Sequence, residues 1–455
     1  MSRASRIALA FSFGLIGTAC GGSSGGGGDA TEAFEIETLR NHLYVAGVEP
    51  LPAPPQVSDE LFVLGQALFF DKVLSGNEDV SCATCHLPEF ATGDGRTLSG
   101  GVQGIGLGPN RGGGVMIPRN SPALFALHLK RELFWDGRVR EFRGGILVPE
   151  SVELTEEMRG TFSPGLEAMA AQAMLPPVSS DEMRGFAENP LGGLGEGYPN
   201  GRPEVTTNVW QELTERLLDL PGYMQLLQAA YPDVAIQDIT FAHVGNAIAA
   251  FEARAFARTD SPFERFVRGD DHALTREQRR GGLAFFGLGC AECHSGPLLS
   301  DQQFHNIGLP QIGPGVSTVF FDQFFGWDFG RENVTAARPD RFAFRTPSLL
   351  NVAITGPWGH AGQFAELRDF VAHYQDPQLS NLQYDIQSNV SDPELVRMHT
   401  DNSEAVLEVL DPLLPARGDF DVDAVVDFLE ALSADDARDM SDIVPASVPS
   451  GLPIL

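Results

Sequence analysis

Four of the five cysteines stand in two copies of one short string, Cys82-Ala83-Thr84-Cys85-His86 and Cys290-Ala291-Glu292-Cys293-His294. At this spacing each pair of thiols can add across the two vinyl groups of a haem, and the neighbouring His is placed to bind the iron on its proximal side. Zinc would need further cysteines or a second, closely spaced ligand pair, and a redox dithiol has no use for the His that ends both strings. Two covalently attached c-type haems are therefore expected, one on Cys82, Cys85 and His86, the other on Cys290, Cys293 and His294.

Such strings need helices to hold them. Leu61 to Phe70 leads into the first, and Leu274 to Phe286, with Thr275 as its N-cap, leads into the second. The segments Gly65-Gln66-Ala67-Leu68-Phe69-Phe70 and Gly281-Gly282-Leu283-Ala284-Phe285-Phe286 read as copies, which points to an old duplication of a small helical haem domain. Helical periodicity also runs through Trp210 to Leu227, Ile239 to Phe256, Phe364 to Tyr374 and Val422 to Leu432, whereas strand signals are sparse. The expected fold is mainly α, with two cytochrome c-like haem domains and long irregular loops. Gly93 to Arg119 and Gln311 to Arg338 are long enough to be functional and would wrap haem edges, while Arg140 to Leu166 reads as an insertion. Along the chain this gives an export signal at 1–19, a Gly/Ser-rich tether at 20–34, haem domains at 35–257 and 258–440, and a tail at 441–455.

With 455 residues and 43% hydrophobic content the chain can build more than one packed core. Its formal net charge of -30 argues against nucleic acid or an anionic membrane surface as partner and would draw a basic electron donor, besides aiding solubility. Arg3 and Arg6 precede an apolar run from Ile7 to Ile16 and the small residues Gly17, Thr18 and Ala19, the pattern of an export signal and too short for a membrane span. Cys20, followed by Gly and Ser only from Gly21 to Gly28, resembles the lipidated residue of a bacterial lipoprotein. Gly17 stands where such signals carry Leu, so cleavage without a lipid is the other route. A periplasmic location follows, with or without a lipid anchor.

The order of the first string, Pro118-Arg119-Asn120-Ser121-Pro122, Phe134-Trp135-Asp136-Gly137-Arg138, the second string and Pro357-Trp358-Gly359-His360 resembles the bacterial di-haem cytochrome c peroxidase and MauG superfamily, from about Glu60 to about Leu432. The resemblance implies that the first haem is the peroxide-reacting centre, beneath a Gln and a Glu that manage the peroxide protons. Gln172 and Glu182 match that pair, with Glu182 as the acid-base residue and Gln172 as its hydrogen-bonding companion. Glu153 is the rival carboxylate, and a surface role the plain alternative. Trp135 resembles the Trp between the haems that carries charge, with packing as its alternative. Asn120, Thr355 and Pro357 resemble an interdomain calcium site of one amide and two carbonyl oxygens.

Two departures from the respiratory peroxidases matter. Those enzymes carry a His after the first string that blocks the iron until reduction, but this chain has no His between His86 and His128, which implies an open ferric site; Met116 in the same loop reads as packing. Where they place a Met to cap the second iron, this chain has Tyr374, on an apolar stripe with Leu367, Phe370 and Val371. A phenolate favours oxidised iron and a thioether reduced iron, so Tyr374 as a ligand matches MauG, against the plain alternative of a core Tyr. His373 faces away from that stripe. His42, His128, His243, His272 and His399 read as core or surface residues, and His305 and His360 as neighbours of haem propionates.

Three functions compete. The first is an exported peroxidase that reduces hydrogen peroxide with electrons passed through the second haem from a small cytochrome c or cupredoxin. The second is a MauG-like enzyme in which both haems share two oxidising equivalents and oxidise Trp or Tyr residues of a partner protein. The third is a non-enzymatic di-haem electron carrier. A homodimer is compatible with all three.

Overall fold

The computed structural model describes residues 27–195, 202–316, 326–414 and 416–454. The expected export signal and Cys20 lie outside them, as does part of the loop from Gln311 to Arg338. The chain is mainly helical, and nine helices position the sites: α1 (Gly27–Val45), α2 (Asp59–Phe70), α3 (Glu167–Ala173), α4 (Pro203–Leu218), α5 (Pro221–Ala230), α6 (Phe241–Ala255), α7 (Arg276–Gly287), α8 (Leu367–His373) and α9 (Val422–Glu430). No described helix is long and apolar enough to cross a membrane. Because α1 begins at Gly27, the tether expected over 20–34 is helical in its later part.

The helices that lead into the two strings begin at side-chain caps. Ser58 accepts from the Leu61 amide at the start of α2, and Thr275 accepts from the Gln278 amide at the start of α7. Each then crosses a partner helix at a glycine. A Cβ on Gly65 of α2 would lie 1.9 Å from the Ala247 carbonyl oxygen and 2.7 Å from the Phe251 Cβ of α6. A Cβ on Gly281 of α7 would lie 1.8 Å from the Ala424 carbonyl oxygen and 3.0 Å from the Phe428 Cβ of α9. The same Gly-into-backbone crossing, with a Phe one turn beyond the touched carbonyl, therefore recurs in both halves. Around α2 and α6 lies one apolar core with Leu68, Phe69, Phe70, Trp210 and Phe251, and around α7 and α9 a second with Phe285, Phe286, Val425 and Phe428.

The packing departs from the division expected along the sequence at both ends. Leu39 and Leu43 of α1 belong to the second core, against α7, because they are the apolar stripe of that helix and α7 supplies its cover. Ala437, Met440, Ile443 and Val448 belong to the first core, where Gln66 donates to the Ile443 carbonyl at 2.8 Å and Ser450 donates to the buried Asp71 at 2.7 Å. The helix expected over Trp210 to Leu227 is two, α4 and α5, because Pro221 forces Leu220 into an extended conformation.

Strands are few and short. Around the Trp motif and into the segment expected to be an insertion, β1 (Glu132–Leu133), β2 (Val139–Phe142) and β3 (Gly145–Leu147) form an antiparallel sheet with Leu133 opposite Val139 and Glu141 opposite Ile146. A second pair joins β4 (Phe304–His305) to β5 (Phe344–Arg345). The Arg345 amide donates to the Trp135 carbonyl at 2.9 Å, so the hairpin that carries the Trp motif is fastened to β5.

Candidate active site

The first string begins as one helical turn, Cys82–Cys85, closed by the Ser81 amide donating to Thr84 Oγ1 at 2.9 Å. His86 Nδ1 donates to the Thr92 carbonyl at 2.8 Å, and Thr92 Oγ1 accepts from the Leu124 amide at 2.8 Å. That bond fixes the tautomer and leaves Nε2 to face a metal, the usual arrangement for a ligating imidazole. Burial pulls His86 down to about 4, which keeps it neutral as a ligand must be. Burial, with Asp94 adding, pushes Cys85 up to about 12, and burial with Glu252 pushes Cys82 higher still.

Near this string lies the turn Ser180–Arg184, which carries Glu182. It is clamped from both sides, by the Val102 amide donating to the Asp181 carbonyl at 3.0 Å and the Gly76 amide donating to the Met183 carbonyl at 2.7 Å. Gly101 is glycine because a Cβ there would lie 1.8 Å from the Asp181 oxygen. The Glu182 carboxyl is within electrostatic reach of Cys82, Cys85 and Arg138; burial raises its pKa while Arg138 opposes the rise. The rival, Glu153, is solvent-exposed. Gln172 lies in the last turn of α3, half-buried, and no hydrogen bond joins it to Glu182 among the described residues. Met116 packs beside the small cluster of Leu98, Ile312 and Leu395.

The second string opens onto a large, mostly apolar cavity that Cys290, Cys293, His294 and Tyr374 all line. His294 Nδ1 donates to the Leu299 carbonyl at 2.9 Å, repeating the arrangement at His86. Tyr374 ends α8, and burial, with Cys293 and Cys290 adding, raises its pKa. His373 turns the other way, its Nε2 donating to the Ile307 carbonyl at 2.7 Å and its Nδ1 accepting from Ser380 at 2.9 Å. Trp135, Asn120, Thr355 and Pro357 line the same cavity. The Trp135 indole donates to the Asn120 carbonyl at 2.8 Å, and the Asn120 amide side chain donates to the Arg96 carbonyl at 3.0 Å, which turns its oxygen away from that carbonyl. The Trp motif thus reaches both sites: Trp135 faces the second cavity, and Arg138 acts on Glu182 beside the first string.

Several residues are placed otherwise than the sequence indicated, or were not singled out by it. His305 has no nitrogen left for a propionate: Nδ1 donates to Asp411 at 2.6 Å and Nε2 to Asp301 at 2.9 Å. His360 lines the second cavity but is stacked on Phe344 at 3.5 Å, and burial pulls it down to about 3. Arg119, from the Pro-Arg-Asn motif, is buried between Asp136 of the Trp motif and Asp328, with N–O distances of 2.6 Å to each. The motifs named Arg119 and Asp136, but nothing local in the sequence ties them to Asp328. Glu252 on α6 is buried beside Cys82 with Oε2 unpartnered, and burial pushes it up to about 8.

Comparison with known proteins agrees with this arrangement. The family described as di-haem cytochrome c peroxidase matches residues 59–272. The methylamine utilization protein MauG of Methylorubrum extorquens is 30% identical over 362 residues, 78% of this chain and 80% of that one. The cytochrome c551 peroxidase of Pseudomonas aeruginosa is 30% identical over 323 residues, 71% of this chain and 74% of that one. In fold, the chain is similar to the crystal structure of a MauG-like protein associated with microbial copper homeostasis, with TM-score 0.58, 24% identity, and coverage of 87% of this chain and 96% of that one. The diheme peroxidase BthA from Burkholderia thailandensis gives TM-score 0.50 and 22% identity over 86% of this chain and 90% of that one. With two His-terminated thiol strings and relatives 30% identical over most of their length, the chain belongs to the di-haem cytochrome c peroxidase family.

Proposed function

We propose that the protein is an exported di-haem c-type peroxidase that reduces hydrogen peroxide to two waters, taking two electrons from a small redox protein through the second haem and two protons from solvent. When bound, the haems supply the iron that meets peroxide and the redox centre that feeds it. Cys82, Cys85 and His86 would hold one, and Cys290, Cys293 and His294 the other, with both His rings already aimed by their Nδ1 bonds. Calcium would be held by the Asn120 amide oxygen and the Thr355 and Pro357 carbonyls, all on one cavity wall.

The observation that carries the reading is the Glu182 turn, clamped by Val102 and Gly76 within electrostatic reach of Cys82 and Cys85. Breaking O–O needs a proton removed from one peroxide oxygen and delivered to the other, and Glu182, a half-buried carboxyl near the first string, would move it. Burial favours its protonated form and Arg138 its charged form, the balance an acid-base group needs. Gln172 would orient the peroxide, and Trp135 would carry charge between the sites. Mixing the mature protein with hydrogen peroxide and reduced cytochrome c tests this: both should be consumed in the ratio of one peroxide to two cytochromes. A protein that carries two haems yet leaves peroxide untouched would be a carrier, and the reading would fall.

Tyr374 favours a second reading, MauG-like oxidation of Trp or Tyr residues in a partner protein. Its ring faces the second cavity, where a phenolate would favour oxidised iron. Tyr374→Met should raise the potential of the second haem and increase turnover with cytochrome c; an unchanged potential would make Tyr374 a packing residue.

A further inference from the structure

Two buried cations in the second cavity have no counter-ion. Lys130 and Arg345 are 8% and 4% exposed, and both line the cavity that His294 and Tyr374 line. Among the described residues they donate only to main-chain carbonyls: Lys130 to Ala123 at 3.2 Å, Arg345 to Phe134 at 3.2 Å and to Thr346 at 3.4 Å. Glu132 acts on Arg345 from beyond ion-pair distance. Burial and then the charge of Arg345 pull the Lys130 ammonium well below its usual range, and burial pulls Arg345 down to about 10. In a chain of net charge -30, two cations turned into one apolar cavity without an acid between them are an expense that only an anion arriving there would offset.

We propose that Lys130 and Arg345 bind the two propionate carboxylates of the second haem. This rests on the reading that the second string holds a haem. The haem is the anionic ligand implied for this cavity, and it brings two carboxylates into surroundings that are mostly apolar. The other basic groups on the cavity wall are poorly suited: Arg417 is already paired with Glu292, His305 is neutralised by Asp301 and Asp411, and His360 is stacked on Phe344 beside Gln363. The two cations also flank Trp135. Lys130 precedes it in the chain, and the Arg345 amide donates to its carbonyl. A propionate held by each would fasten the Trp135 hairpin to the haem it faces, so Lys130 and Arg345 act as positioning residues for the route between the two sites.

The test uses the mature holoprotein. Haem content by the pyridine haemochrome comes first, and two covalent haems per chain are expected in the unaltered protein and in Lys130→Met and Arg345→Met. Redox-triggered infrared difference spectra with isotope-labelled propionates should then show a shifted carboxylate band in each Met variant, restored in Lys130→Arg and Arg345→Lys. The second haem should become about tenfold harder to reduce for each charge removed, about 59 mV for one electron. Two haems per chain with bands and potential unmoved in both Met variants would overturn the propionate assignment alone. Fewer than two covalent haems in the unaltered protein would overturn this assignment together with the reading beneath it.

Discussion

Replacing Gly65 by Ala tests how closely the helices that lead into the two strings cross their partners. The added Cβ would lie 1.9 Å from the Ala247 carbonyl oxygen and 2.7 Å from the Phe251 Cβ, so neither obstacle is the free end of a flexible side chain. To reach ordinary contact α2 must move off α6 by about 1 Å or more, and a gap of that size forfeits up to about half of each dispersion contact along the seam. Overpacking costs about 1–3 kcal/mol, and a backbone obstacle places this case near the top of that range. Ala in a helix returns about 1 kcal/mol relative to Gly, so the net loss is about 2 kcal/mol. For a core of this size that corresponds to a fall of about 4–8 °C in Tm, read by calorimetry on the holoprotein. Gly281→Ala, whose Cβ would lie 1.8 Å from the Ala424 oxygen, should fall by a similar amount. Gly287→Ala on the same helix meets nothing within 4 Å and should leave Tm unchanged or slightly higher. If Gly65→Ala and Gly281→Ala melted like Gly287→Ala, the close crossings would be wrong.

Glu182→Gln should slow the reaction with hydrogen peroxide about 10²–10⁴-fold in stopped-flow mixing, while Glu153→Gln, at an exposed carboxyl, should leave the rate alone; the reverse result would move the acid-base role to Glu153. Arg119→Met removes the cation from between Asp136 and Asp328 and should cost about 3–5 kcal/mol, because two buried carboxylates are left facing each other; chemical denaturation of the variant measures it. His305 is pushed up to about 11 by Asp301 first, then Cys293 and Asp411, so it gains its proton on folding. Its stabilising contribution is complete below its unfolded value of about 6.5 and is lost as pH rises through about 11. His305→Gln should flatten that part of a Tm-against-pH curve, and a curve of unaltered slope would show that the clamp stays uncharged.

What could be read from the sequence was what lies within a few residues. The two strings, the Thr275 cap and the paired Gly-to-Phe-Phe segments are local patterns, and each sits where local chemistry puts it. Even the double crossing was foreshadowed, since Gly65 and Gly281 occupy equivalent places in those segments. The break between α4 and α5 was also legible in principle, because Pro221 bars its neighbour from helix, but the apolar period runs across it and hides it. The strand pairs were not readable, as two- to four-residue strands give too few alternations to register. Nor were the long-range charges. Arg119 meets Asp328 from 209 positions away, and the cations Lys130 and Arg345 are marked out only by the absence of an acid nearby, which is a property of the folded cavity.

The exchange of the chain's two ends between the cores bears on how the protein is made. Met440, Ile443 and Val448 close the core around the first string, so that core stays open until synthesis has passed Val448. Cys82 and Cys85 would therefore meet a haem on a loose, accessible chain, and the segment from Ala434 to Val448 would be the last part of that core to close. A fragment ending before Ala434 should expose the apolar faces of α2 and α6 and aggregate, whichever cofactor it had already received.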